Sequence, residues 1–260
     1  MELSVYTREE QAKGHFGDGE ITENKPIGFP REGSVVTRVG PLFYWAWAKS
    51  EKTFEIPLHP HSGFEILSYV LQGRIGHRDT LGNLQEVTTG GVQIMQTGSG
   101  AYHAEELNKD TEMFQIWFEP HLAKATKRPP TYHQYNHEDF PVETVGGTVV
   151  KHIVGQEAPI QLVTDSLMSD ITIPAGQSYS QKLPAGYSHA AVVVAGQGRA
   201  FNSEEDQPSA SAKSFRTGDF VVTAAENDDV IVAYEADADT SLRLVLIQVP
   251  TEVDYPLYRK

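Results

Sequence analysis

Tyr69-Val70-Leu71-Gln72-Gly73-Arg74 is echoed 125 positions on by Val194-Ala195-Gly196-Gln197-Gly198-Arg199. Thr89-Gly90-Gly91-Val92 is echoed by Thr217-Gly218-Asp219-Phe220, 128 positions on. Two matches at nearly one offset predict two copies of a single unit. Each phrase pairs apolar residues with a glycine turn, which is strand-and-turn chemistry. The same signature extends outward through Leu42 to Ala48, Ile66 to Leu71, Phe114 to Phe118, Ala190 to Val194, Phe220 to Ala224, Val230 to Tyr234 and Leu242 to Val249. No amphipathic run of about ten residues reads as a helix, and Ala123 to Lys127 or His137-Glu138-Asp139 suits only a short helical turn. An all-β chain of sandwich or barrel type follows. The expected domains are 1–135, linker included, and 136–260. Glu119 to His137, with Pro120, Pro129 and Pro130, is the expected connection.

Composition narrows the function. With 260 residues the chain can bury a substantial core. It has no cysteine, so any metal must be held by nitrogen and oxygen, and disulfides and thiolate catalysis are excluded. The N-terminus lacks the apolar core of a signal peptide, and no stretch approaches the roughly 18 apolar residues of a membrane span. A cytoplasmic protein is expected. A net charge of -14 argues against direct nucleic-acid binding and against anionic membranes. The one basic cluster, Lys124, Lys127 and Arg128, reads as a solvated linker. Glu204-Glu205-Asp206 and Asp237-Ala238-Asp239 read as exposed turns.

His59-Pro60-His61 and His103-Ala104-Glu105 carry the chemistry. In a strand, residues i and i+2 point to one face. Two such strands side by side would aim three imidazoles and a carboxylate at one point, a shell for a divalent transition metal with positions left open. Mapped through the echoes, the four positions fall on Pro184, Gly186, Ile231 and Ala233, none of them a comparable ligand. His189 stands alone and reads as structural. One metal per chain, in the first copy, is expected.

His59-Pro60-His61-Ser62-Gly63-Phe64-Glu65 through Gly73, His77 to Asn83, and Gly91 to Glu105 resemble the signatures of the pirin family of the cupin superfamily. Phe114-Gln115-Ile116-Trp117 and Pro129-Pro130-Thr131-Tyr132 resemble its continuation. The likeness is dense over residues 55 to 135 and thin beyond 160. It implies a bicupin of two tandem jelly-roll-like β-barrels, the first holding one divalent metal: iron(II) foremost, with manganese, nickel, cobalt, copper and zinc as alternatives. Residue by residue, the family's ligands fall on His59, His61, His103 and Glu105. Glu65 stands where many other cupins place their carboxylate, a role that pirins give to the position of Glu105. Ser62 and Ile94 depart from the Arg and Trp common in pirins, which bears on the cavity and hence on the substrate.

The resemblance implies two functions of different kinds. One is a quercetin 2,3-dioxygenase-like oxidoreductase, using dioxygen on a flavonol or related enediol-like aromatic, with Glu105 as catalytic base. The other is a non-enzymatic regulator that senses metal or redox state and binds a partner protein. A third reading is a bicupin acting on an unrelated substrate. Phe43, Trp45 and Trp47 share one strand face and read as core rather than cavity lining. The second copy supplies the contact that single-domain cupins find by pairing, so a monomer is expected.

Overall fold

The computed structural model describes residues 1–204 and 211–260, so Glu205 and Asp206 of the acidic turn lie outside the described residues. All seven runs read as strands lie within strands, and the two short helical turns appear as Leu122–Ala125 and His137–Asp139. The chain divides into two compact units. One comprises Gln11–Asp139 with Asp254–Lys260, and the other Phe140–Val253 with Met1–Glu10.

In the first unit a seven-stranded sheet runs in the order Thr131–Tyr135, Val92–Gln96, Glu65–Gln72, Thr111–Phe118, Leu42–Ser50, Ile21–Ile27, Ala12–Phe16. A four-stranded sheet runs Phe54–His61, Ala101–Leu107, Arg74–Asp79, Leu84–Thr88. Ile21, Ala48, Val70 and Met113 of the larger sheet pack with Ile75, Val87 and Leu107 of the smaller one. Apart from Ala48, each of these side chains contributes roughly 1.5–3 kcal/mol by leaving water. Strand alternation sorts the aromatic run as expected: Trp45 and Trp47 are buried edge-on against Phe114, with ring centroids 5.4 and 5.3 Å away. Phe43 is buried against Phe64, at 4.8 Å.

The second unit repeats this plan strand for strand. Its larger sheet runs Glu2–Tyr6, Phe220–Ala225, Tyr187–Ala195, Leu242–Pro250, Leu167–Ile173, Thr148–Val154, Val142–Val145. Its smaller sheet runs Ser178–Leu183, Val230–Ala236, Gln197–Asn202, Lys213–Arg216. The chain ends explain why the units do not follow a cut after residue 135. Beside Val92–Gln96 the edge position is filled by Thr131–Tyr135, so part of the expected linker is a strand. Beside Phe220–Ala225 the equivalent edge is filled by Glu2–Tyr6 from the N-terminus.

Asp254–Lys260 is tied into the first unit by polar contacts. Glu119, fully buried, takes Arg38 Nη1 at 2.8 Å and the Tyr258 amide at 2.5 Å. Tyr255 Oη donates to the Glu119 carbonyl at 2.8 Å, and Lys260 Nζ donates to the carbonyls of Gly28 (2.9 Å), Thr37 (2.5 Å) and Phe43. Removing one member of a buried ion pair strands the other. Glu119→Ala should therefore cost roughly 3 kcal/mol, read as a lower denaturant midpoint, whereas an unchanged midpoint would show the tail to be unimportant for stability.

The first echo is real but displaced by two residues. Gly73 (φ 82°) and Gly196 (φ 84°) hold the same turn, each carbonyl accepting the amide of the threonine that opens the second phrase. The ladders then place Gln181, Leu183, Val232 and Tyr234 where the first unit has His59, His61, His103 and Glu105. The positions inferred from the sequence, Pro184, Gly186, Ile231 and Ala233, are each shifted. The corrected set still offers no histidine or carboxylate.

His189 is fully buried in the second unit, between Gln248 Oε1 (3.3 Å) and Tyr234 Oη (3.2 Å). Burial pushes its pKa down to about 4, with the Gln248 contact opposing. The unfolded state binds this proton from about pH 6.5 downward while the folded state refuses it until about 4. Stability from this group is therefore full above pH 6.5 and falls by up to about 3 kcal/mol as pH drops toward 4. His189→Gln should flatten the difference between urea midpoints at pH 7 and pH 4.5. The same slope in wild type and variant would assign the acid sensitivity elsewhere.

Candidate metal centre and cavity

The strand Phe54–His61 changes parity part-way, and this builds the site. Across the ladder His103 faces His59 but Glu105 faces Ile56, so one strand carries an extra residue. This bulge turns His59 and His61 to the interior that Ile56 also faces, while Leu58 and Pro60 stay exposed. His103 and Glu105 point inward from Ala101–Leu107.

Ligand atoms of His59, His61 and His103 all lie within 4.8 Å of one another. Their ring centroids are 4.5 to 5.0 Å apart. His59 Nδ1 is 2.8 Å from the Pro57 carbonyl, which can only accept, so that nitrogen carries the proton and Nε2 is left with a lone pair. His61 Nε2 and both nitrogens of His103 are buried without a hydrogen-bond partner. Such groups cost free energy unless something satisfies them. Burial first, then neighbouring imidazoles, pushes the His61 pKa down to about 3. Burial likewise lowers that of His103, against the pull of Glu105. Neutral imidazoles with open lone pairs fit a divalent metal.

Glu105 is close by but outside that cluster of ligand atoms. It is almost fully buried, with Gln93 Nε2 3.0 Å from Oε1, Gln115 Nε2 3.0 Å from Oε2 and Ser68 Oγ 3.0 Å from Oε1. Burial alone would raise its pKa, but His103 and the Ser68 hydrogen bond overcome this and hold the carboxyl below its usual value. Glu65 is also buried and accepts from Gln96 Nε2 at 2.6 Å, likewise apart from the cluster. In the second unit the places of Ser68, Gln93 and Gln115 are taken by Ala191, Val221 and Leu246, all in its apolar core. The polar lining belongs to the unit that holds the histidines.

In the sequence His77 stands out only as part of the stretch His77 to Asn83. It lies buried 5.5 Å from the His103 ring, stacked on Tyr132 at 4.0 Å, with Nε2 2.9 Å from Asp79 Oδ2. The spacing His77-Arg78-Asp79 was its available signal. A cavity of about 530 Å³ opens on His59, His61 and Glu105. Its lining includes Phe16, Phe29, Met113 and Trp117, with the Trp117 ring 4.8 Å from His61. Phe16, Phe29 and the pair Met113 and Trp117 come from three segments of the chain, so no single local pattern marked them.

The Pirin family model matches residues 41–118. A pirin-like protein of Caulobacter vibrioides is 33% identical over 162 residues, covering 60% of this chain and 67% of that protein. This chain belongs to the pirin family. A Pseudomonas aeruginosa relative, provisionally named a quercetin 2,3-dioxygenase, is 36% identical over 144 residues, covering 50% of each. The matches span 59%, 65% and 50% of the first three curated relatives. Among solved structures, the bacterial pirin of Escherichia coli in complex with nickel(II) superposes with a TM-score of 0.75 at 20% identity, covering 96% of this chain and 99% of that one. The pirin fold, two cupin barrels in tandem, thus extends over nearly the whole chain. No described helix is long and apolar enough to cross a membrane.

Proposed function

We propose that this pirin is a metal-dependent dioxygenase that cleaves a flavonol, or a related enediol-like aromatic, with dioxygen. The observation that carries the reading is the cavity: His59, His61 and the ionised carboxylate of Glu105 border a largely apolar space large enough for a flat aromatic molecule, and His103 completes the imidazole cluster. His59, His61 and His103 are the proposed ligands, and iron(II) the proposed metal. A metal held there would supply a Lewis acid that lowers the pKa of the flavonol's enol hydroxyl and a centre at which dioxygen meets the substrate.

The chain's own residues do the rest. Glu105 occupies the family's fourth ligand position, and its place outside the imidazole cluster supports a role as acceptor of the enol proton. Ser68, Gln93 and Gln115 keep that carboxylate ionised and fixed. Tyr132 Oη, 3.2 Å from Gln93 Oε1, extends the chain of hydrogen bonds. Trp117 and the apolar walls exclude water and hold the aromatic body flat. The test is aerobic incubation of protein loaded with iron(II), nickel(II) or manganese(II) with a panel of flavonols. Flavonol loss with carbon monoxide release is expected, and no loss with any metal would overturn the reading.

A further inference from the structure

The same cavity has a second polar feature that the chemistry above leaves unused. Glu23 and Lys25 stand i, i+2 on the strand Ile21–Ile27, beside Tyr44 on Leu42–Ser50, and all three line the cavity with His59 and His61. Each is only 7% exposed. Lys25 Nζ lies 2.8 Å from Glu32 Oε1 and 3.4 Å from Glu23 Oε2, and Tyr44 Oη lies 3.4 Å from Glu23 Oε1. The two Glu23 contacts are long, so its carboxylate retains accepting capacity toward the cavity. Gly14 makes the room: a Cβ there would sit 2.7 Å from Glu23 Oε2 and 2.8 Å from Lys25 Nζ.

The barrel does not require the Glu23 carboxylate. In the second unit the place of Glu23 is held by Val150, 1% exposed within an apolar core. Desolvating charged groups is costly, and apolar residues of similar volume commonly serve stability as well or better. The Glu23 carboxylate in the wall disfavours an incoming anion, because the Lys25 ammonium beside it is already taken by Glu32 at 2.8 Å. Glu23, Lys25 and Tyr44 together favour a group that donates to Glu23 and accepts from Tyr44 or Lys25, which is what a hydroxyl does.

We propose that Glu23, Lys25 and Tyr44 form a recognition subsite for an uncharged phenolic hydroxyl on the ligand. The inference rests on reading the cavity as the substrate site, and it narrows the substrate to hydroxylated aromatics over carboxylated or bare ones. It is tested with three probes that lack the chelating enol: flavone, a flavone with one hydroxyl on its pendant ring, and the matching carboxylate. Affinities for the full chain are measured by calorimetry. The hydroxyl probe should bind about tenfold or more tightly than flavone, with the carboxylate weakest. Glu23→Gln and Lys25→Met should each reduce the hydroxyl-to-flavone ratio, and Gly14→Ala, which crowds both side chains without removing a charge, should reduce it too. Equal binding of the probes, tightest binding of the carboxylate, no binding of any, or a ratio unchanged in the folded variants would overturn the subsite. None of the probes is a flavonol, so failed flavonol turnover with an intact hydroxyl preference sinks only the dioxygenase reading. Flavonol turnover without that preference sinks only the subsite.

Discussion

Replacing His103 with alanine is expected to take tightly bound metal from about one equivalent per chain to near zero, while the β-type circular dichroism stays unchanged. Both His103 nitrogens are buried without partners, so the substitution breaks no side-chain hydrogen bond. What it removes is one of three imidazoles whose ligand atoms lie within 4.8 Å of one another. Loss of a residue that merely orients a ligand weakens metal sites by roughly 10–100-fold, and loss of a ligand should exceed that. His59→Ala should behave alike. Elemental analysis after reconstitution and desalting reads the result directly. Retention of a full equivalent in both variants would move the site elsewhere.

The second large effect is expected at Glu105. Glu105→Gln keeps the shape and exchanges a carboxylate for a neutral amide. The new amide nitrogen would meet the donors that now serve the carboxylate, but a flip of the Gln115 amide restores a complementary pattern with Ser68 Oγ. The fold should therefore tolerate the change, and metal occupancy should fall only modestly because three imidazoles remain. Flavonol turnover per bound metal should fall by roughly 10²–10⁴-fold, the range for loss of a general base. Equal turnover per metal would remove Glu105 from the base role. A wild type with no turnover on any metal would favour the non-enzymatic regulator, in which the substitution acts only through metal or redox state.

The strands and the histidine pairs were legible because both depend on short-range periodicity. What lay out of reach was set by long-range pairing. Strict alternation brings His59 and His61 to one face, but it does not reveal the bulge that puts Ile56 on that face too, since the extra residue shows only against the partner strand. The Gln-Gly-Arg echo was displaced by two residues because identical letters outweighed the turn geometry of Gly73 and Gly196. The domain cut at 135 missed the crossing ends because an edge strand such as Glu2–Tyr6 finds its partner more than two hundred residues away. Glu23 and Lys25 did carry a signal. They alternate with Thr22 and Asn24 in a strand whose ends, Ile21 and Ile27, are fully buried, and charged residues at inward positions of a barrel mark a cavity wall.

The most direct measurement is an anomalous difference map from crystals of the iron(II)-reconstituted protein. One peak per chain is expected, bounded by His59, His61 and His103, with Glu105 at its side and nothing among Gln181, Leu183, Val232 and Tyr234 of the second unit. A peak at any other cluster, a second peak in that unit, or no peak in protein shown to hold iron would contradict the metal centre and the chemistry built on it.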